Sequence, residues 1–210
     1  MIEQGSTEWF AARCGKVTAS KVEAVMAKGQ RGEPSRTRAN YEAQLIAERL
    51  TGVTEEGFQS AEMRRGNEVE PEARKAYAFY MSAEVERAGF VDHQTIAMAG
   101  ASPDSFVGAD GLLEIKCPNT ATHLDTLLGA NIDGGYMKQM QWQMACTGRK
   151  WVDFASFDNR LPAHLQLHVR RVVRNDEMIA EMEEAVRVFL AGIDVKIAKL
   201  QAIAPQAEAA

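Results

Sequence analysis

The chain has 210 residues, 46% apolar and 25% charged, enough to bury a sizeable core and too apolar for global disorder. At roughly 100 to 200 residues per domain, one compact unit over residues 1–200 with a flexible tail at 201–210 is expected. A net charge of −5 argues against a protein that coats nucleic acid by bulk electrostatics, while leaving room for a local basic groove.

No apolar run approaches the roughly 18 residues of a membrane span, and the start MIEQGSTEWF lacks a basic region followed by a hydrophobic stretch. Cys14, Cys117 and Cys146 are odd in number and form no C-x-x-C, so neither a disulfide framework nor a zinc knuckle is encoded. A cytoplasmic location is expected, with no membrane partner. The charge is segregated: residues 11–40 hold seven Lys and Arg against Glu23 and Glu33.

In chain order, TASKVEAVMAKG spaces Val22, Val25 and Met26 as a helix, with Thr18 or Ser20 as cap and Gly29 as stop. KGQRGEPSRTR has nothing periodic to bury and reads as a mobile basic loop. NYEAQLIAERL is a second helix presenting Tyr41, Leu45 and Leu50. A third runs from about Met63 to Met81, with Pro71 either starting or kinking it.

The period then changes. From Val85 to Cys117, short apolar runs between Gly and Asp turns predict a small antiparallel sheet. A fourth helix, YMKQMQWQMACTG, follows Gly134-Gly135. WVDFASF and HLQLHVRRVV add strands, and Asn175 caps a long helix with an apolar stripe through Met178, Ile179, Met182, Val186, Phe189, Leu190 and Ile193. The pattern is a mixed α/β (α+β) fold, a central mixed sheet flanked by helices.

The stretch SPDSFVGADGLLEIKCP carries the chemistry. A strand period of two puts Leu113, Ile115 and Cys117 on one face and Glu114 with Lys116 on the other. A hairpin centred on Gly108–Gly111 sets Ser105 near Glu114 and makes Asp104 a diagonal neighbour of Glu114 and Lys116. Two carboxylates on adjacent strands suit a hard cation such as Mg²⁺, and Lys116 suits a phosphodiesterase step. The plain alternative is a surface salt bridge. Glu70, three and seven residues before Ala73 and Tyr77, faces inward if the helix is continuous; otherwise it caps a helix beginning at Pro71.

Five blocks, EWFAARCGKVTAS, RGNEVEPEA, ASPD, LEIKCP and GYMKQMQ, occur in an order that resembles the phage lambda exonuclease family and its YqaJ-type viral recombinase relatives, nucleases with a restriction-endonuclease-like core. The resemblance implies that Asp104 and Glu114 ligate metal together with the carbonyl of Ile115. It makes Glu70 a third acid near a second ion and Lys116 the catalytic lysine. It implies that Arg13, Ser20 and Ser102 hold a 5′-terminal phosphate, and that Tyr136 and Gln139 stand beside the site. Ser20-Lys21-Val22-Glu23 also reads as a capping box.

The chain departs from the family at Ser105, where many relatives have glycine, and at Pro71 after Glu70. The family's basic residue after LEIKCP has no clear counterpart in NTATHLD, where His123 is the candidate. The implied activity is Mg²⁺-dependent (Mn²⁺ as the alternative, two ions per site) 5′-to-3′ digestion of duplex DNA ends by a homotrimeric ring. Mononucleotides are released, and 3′ single strands are left for a strand-annealing partner. Competing readings are a structure-selective or single-strand endonuclease with the same metals, and a non-catalytic DNA-binding module. His164 and His168 do not make a zinc pair, because their alternation is that of a strand.

Overall fold

The computed structural model describes residues 3–54 and 60–203. Two sheets and seven α-helices form the described part of the fold. Helix α1 (Thr7–Arg13) leads to β1 (Val17–Thr18), a 3₁₀ turn and α2 (Val22–Met26). Then come α3 (Arg36–Thr51), α4 (Ala61–Met81), β2 (Val85–Arg87), β3 (Val91–Asp92), β4 (Ala99–Ala101), β5 (Ser105–Val107) and β6 (Gly111–Lys116). The chain closes with α5 (Thr120–Leu127), α6 (Gly134–Thr147), β7 (Trp151–Phe157), β8 (Leu167–Val173) and α7 (Asp176–Gln201).

The segment read as one small antiparallel sheet is divided between two. β3 and β4 pair antiparallel and β1 joins β4 in parallel, while β2, β5 and β6 enter a five-stranded sheet of order β2-β5-β6-β7-β8. In that sheet β6 and β7 run parallel and the other neighbours antiparallel. A parallel pair needs a long crossover, and α5 and α6 supply it.

Strand β6 is covered on both faces. Leu112 packs into a core with Leu45, Met140, Trp142, Phe154, Phe189 and Ile193. Leu113 and Ile115 point the other way, into a second cluster with Ala73 and Tyr77 of α4, Val107, Ala155 and Phe157. This is a mixed α/β fold with helices on both faces of a central mixed sheet.

Several elements differ from expectation for local reasons. Helix α1, capped by Ser6, buries no residue fully, so it carries no apolar periodicity. Helix α2 is only five residues long, its N-cap is Lys21, and no side chain closes it. The Ser20 capping box therefore does not form, and Ala27 rather than Gly29 ends the helix. In α3, Ser35 caps the start and Gly52 ends it with φ +71°; Glu48, not the half-exposed Leu50, joins Tyr41 and Leu45 inside.

The expected basic loop is drawn together by a Lys28–Pro34 bridge. Leu165 falls in a 3₁₀ turn with His164, outside β8, while His168 lies on the strand. The α7 stripe and its Asn175 cap are as expected, Asn175 accepting from the Met178 amide at 3.0 Å. Residues 204–210 of the expected tail lie outside the described residues.

Two buried acids tie helices to the sheet. Asp158, at the end of β7, accepts from Arg65 of α4, Arg160 and Thr120 of α5. Burial opposes its ionisation, but the bonds from Arg160 and Thr120 outweigh it and hold the acid well below the ordinary range. Asp153 of β7 receives Tyr77 of α4 at 2.7 Å and both arms of Arg171 at 2.8 and 2.9 Å. Tyr77→Phe removes a hydrogen bond to a charged group, worth about 1.5–3 kcal/mol. Urea unfolding should show a loss near the lower figure, because Arg171 keeps Asp153 paired; an unchanged midpoint would refute the clamp.

Candidate active site

The site is built where β5 and β6 face each other. Ser105 pairs with Leu113, Phe106 with Leu112 and Val107 with Gly111. The register is one residue off the expected one: Ser105 is not beside Glu114, and Asp104 stands opposite Glu114 rather than diagonal to it. Gly111 already belongs to β6, so the loop is Gly108–Asp110, with Gly108 at φ +51°. A three-residue loop moves the hairpin centre by half a residue.

Glu114 is 1% exposed, and a carboxylate so buried needs partners. Lys116 Nζ donates to Oε1 at 2.6 Å and Gln139 Nε2 to the same oxygen at 2.7 Å. Gln143 Nε2 donates to Oε2 at 2.6 Å. Burial pulls the Lys116 pKa down, but Glu114 and Asp104 outweigh it and the net shift is upward, which favours the charged ammonium. Its Nζ also lies 4.7 Å from the ring centre of Tyr136, which leans on Phe154. The expected set of Glu114, Lys116, Gln139 and Tyr136 is thus brought together.

Asp104 lies just outside β5 and accepts the Ile115 amide through Oδ2 at 2.6 Å. In a strand, the N–H and C=O of one residue point to the same side, so the Ile115 carbonyl faces Asp104 as well. Burial raises the pKa of Asp104 well above the usual range; Glu114 and Glu70 add to the rise, and Lys116 and the Ile115 amide oppose it.

Glu70, on α4 at the opposite face of the sheet, influences this acid through its charge. Helix α4 runs unbroken through Pro71 with Ala73 and Tyr77 buried, so Glu70 is on the inward side and does not cap a helix. It pairs with Arg74, whose Nε also donates to Ser105 Oγ at 2.8 Å. Ser105, in the position where glycine was noted, donates to the Asp104 carbonyl at 2.6 Å. Among the described residues, no three His, Cys, Asp or Glu side chains form a ready metal cluster.

A second group lies two residues upstream of Asp104. Ser102 Oγ accepts from Trp9 Nε1 at 2.9 Å and from Arg13 Nη1 at 3.2 Å. Arg13 lies 4.0 Å over the Trp9 ring, and burial lowers its pKa, opposed by Tyr41 and Glu48; a guanidinium nonetheless stays charged. Parallel pairing sets Thr18 against Gly100. Ser20 and Ser102, each two residues further on, therefore leave the same end of the small sheet, and Ser20 is exposed there. Below Arg13, Gly15 (φ +68°) is held by α3 on both sides, its N–H by Glu48 Oε2 and its carbonyl by Arg49 Nε, each at 2.8 Å.

Not every candidate belongs here. His123 is fully buried on α5, bonded to Ser156 at 2.7 Å and to the Leu165 carbonyl at 2.8 Å. It is a core residue, not the basic group near a scissile bond. Cys146 is buried, and burial pushes the Cys117 thiol up to about 12, so these thiols are inert. Conversely, Gln143, Arg74 and Trp9 were missed. Gln143 and Arg74 were visible as i+4 companions of Gln139 and Glu70; Trp9 carried no positional signal.

Residues 8–150 match the YqaJ-like viral recombinase domain. The chain is 49% identical to LHK-Exo, an alkaline exonuclease from Laribacter hongkongensis, with a TM-score of 0.87 over 93% of this chain and 96% of that one. The complex of LHK-Exo with dAMP gives the same figures. A phage related exonuclease from Haemophilus somnus 129PT, 16% identical with a TM-score of 0.66 over 88% of this chain and 96% of that one, shares the fold. No match among curated proteins was found. With Pro103-Asp104 facing Glu114-Ile115-Lys116 across one hairpin, the chain belongs to the YqaJ-like viral recombinase family, of the PD-(D/E)xK type.

Proposed function

We propose that the protein is a metal-dependent exonuclease acting on linear duplex DNA ends, degrading one strand 5′ to 3′ to mononucleotides and leaving 3′ single strands for recombination by annealing. The observation that carries this reading is the adjacency of two groups on one short run. Ser102, held with Arg13, lies two residues before Asp104, which faces Glu114 and Lys116. A terminal phosphate at the first group puts the next phosphodiester within reach of the second. LHK-Exo was solved with dAMP, a mononucleotide, which supports the product class. A trimeric ring and a single-strand annealing partner belong to the same proposal.

The donors fit a hard divalent cation, Mg²⁺ or Mn²⁺, one or two per site. They are all oxygens, and the crowding of Asp104 by Glu114 and Glu70 is what a cation relieves. Asp104, Glu114 and the Ile115 carbonyl would hold it, with Glu70 beside a second. Bound there, it would supply Lewis acidity and an acidified water.

The chain's own groups do the rest. Lys116, kept protonated, stabilises negative charge on the phosphoryl oxygens and fixes the attacking water. Ser102 has both acceptor positions filled by Trp9 and Arg13, so its own O–H is left to donate to a phosphate. Arg13 carries further N–H groups for the same anion. Each cut regenerates a 5′-phosphate end, so the recognition step repeats without ATP.

Three outcomes test this reading. Asp104→Ala and Lys116→Ala each slow Mg²⁺-dependent digestion of end-labelled linear duplex about 10²-fold or more; full activity in either variant would sink the site assignment. Replacing the 5′-phosphate by hydroxyl slows the wild type sharply, and Arg13→Ala erases the difference between the two ends; equal wild-type rates would remove the pocket.

The third concerns pH. With Asp104 raised in the fold, folded and unfolded chains are both protonated below the ordinary value of about 3.9. As pH climbs from there towards the raised value, the unfolded chain ionises first and stability falls. Without divalent ion at about pH 8, Asp104→Asn should melt about 3 °C or more above the wild type. The gap should close towards pH 4, and Mg²⁺ should narrow it by stabilising the wild type. Identical melting curves at the higher pH would contradict the crowding.

A further inference from the structure

Helix α6 buries Met140, Gln141, Trp142, Gln143, Met144, Ala145 and Cys146 in succession. Gln143 is 0% exposed. An amide there costs free energy unless both of its ends are matched. Only one is: Nε2 donates to Glu114 Oε2 at 2.6 Å, while Oε1 is buried with no hydrogen-bond partner among the described residues. A methionine would fill similar space without an orphaned acceptor, so Gln143 is not explained by packing.

The two oxygens of Glu114 are treated differently. Oε1 receives Lys116, whose side chain is 25% exposed, and the half-buried Gln139, so it is on the open side. Oε2 receives the fully buried Gln143, 29 residues away in sequence, from the dry side. A carboxylate held only at its front oxygen could turn about its last torsion when the front partners exchange; one held from behind cannot.

We propose that Gln143 is a positioning residue: it fixes the rear oxygen of Glu114 and so sets the direction in which the front oxygen meets a divalent cation. This rests on the metal-site reading above. Outer partners of metal-binding carboxylates typically contribute 10- to 100-fold in affinity.

The test is Mn²⁺ binding to the full chain, followed by loss of the free-ion electron paramagnetic resonance signal, with thermal melting in parallel. Gln143→Met should keep a cooperative melt yet raise the half-saturating Mn²⁺ concentration about tenfold or more, and excess Mn²⁺ should bring cleavage back to within a few-fold of the wild type. Gln143→Asn, whose amide is one methylene too short, should shift binding in the same direction, and it decides the matter if the methionine variant does not fold. Binding within twofold of the wild type in the folded variant overturns the proposal. Asp104→Asn separates the two levels. If it loses Mn²⁺ while Gln143→Met does not, only the role of Gln143 falls; if Asp104→Asn binds like the wild type, the metal site falls and this role with it.

Discussion

A carboxylate taken almost completely out of water costs several kcal/mol unless strong donors surround it. Glu114 is in that position, and the architecture around it reads as the means of supplying three N–H groups. Lys116 comes from the same face of the same strand, which a period of two provides at no topological cost. Gln139 and Gln143 come from α6, which must therefore cross the sheet face above β6. The parallel pairing of β6 and β7 forces a long excursion between them, and α6 is the part of that excursion that lands there.

The sheet also divides labour between its faces. Glu114 is served from the α6 side and Glu70 belongs to the α4 side, and both bear electrostatically on Asp104, which sits beside the Ile115 amide just before β5 begins at Ser105. Helix α4 is fixed in rotation by Tyr77 on Asp153 two turns beyond Glu70, and in position by Arg65 on Asp158. On the α4 side, Arg74 ties the helix to the start of β5, bonding Glu70 and Ser105 at once. The acids thus stand near one another under tension from their charges, held by cations that are themselves part of the scaffold.

What the sequence disclosed follows from how local each signal is. The two faces of β6, the α7 stripe and the Asn175 cap depend on neighbours within a few residues, and all could be read directly. The pairing of Asp104 with Glu114 was legible to within one position, because turn residues announce a hairpin but do not fix whether its loop is odd or even. Helix α5 was not legible: NTATHLD has no apolar stripe, and its cap at Asn119 and its buried His123 acquire meaning only against Ser156 and Leu165. The contact between Trp9 and Ser102 joins segments far apart in the chain and leaves no trace in spacing, whereas Gln143 was at least marked as the i+4 companion of Gln139.

The grip of α3 on Gly15 bears on how the proposed phosphate pocket would behave over many encounters. The amide and carbonyl of that glycine are both spoken for, and a side chain at this position would collide with Arg49, so the segment below Arg13 is tied to α3 through its backbone. For the terminal phosphate proposed to meet Arg13, the backbone beneath is already tied, so little conformational freedom would be surrendered on arrival and little recovered on departure. A pocket of that kind would be rigid rather than adaptive: it would return to the same shape after every release, and its discrimination would rest on the fit of the visitor.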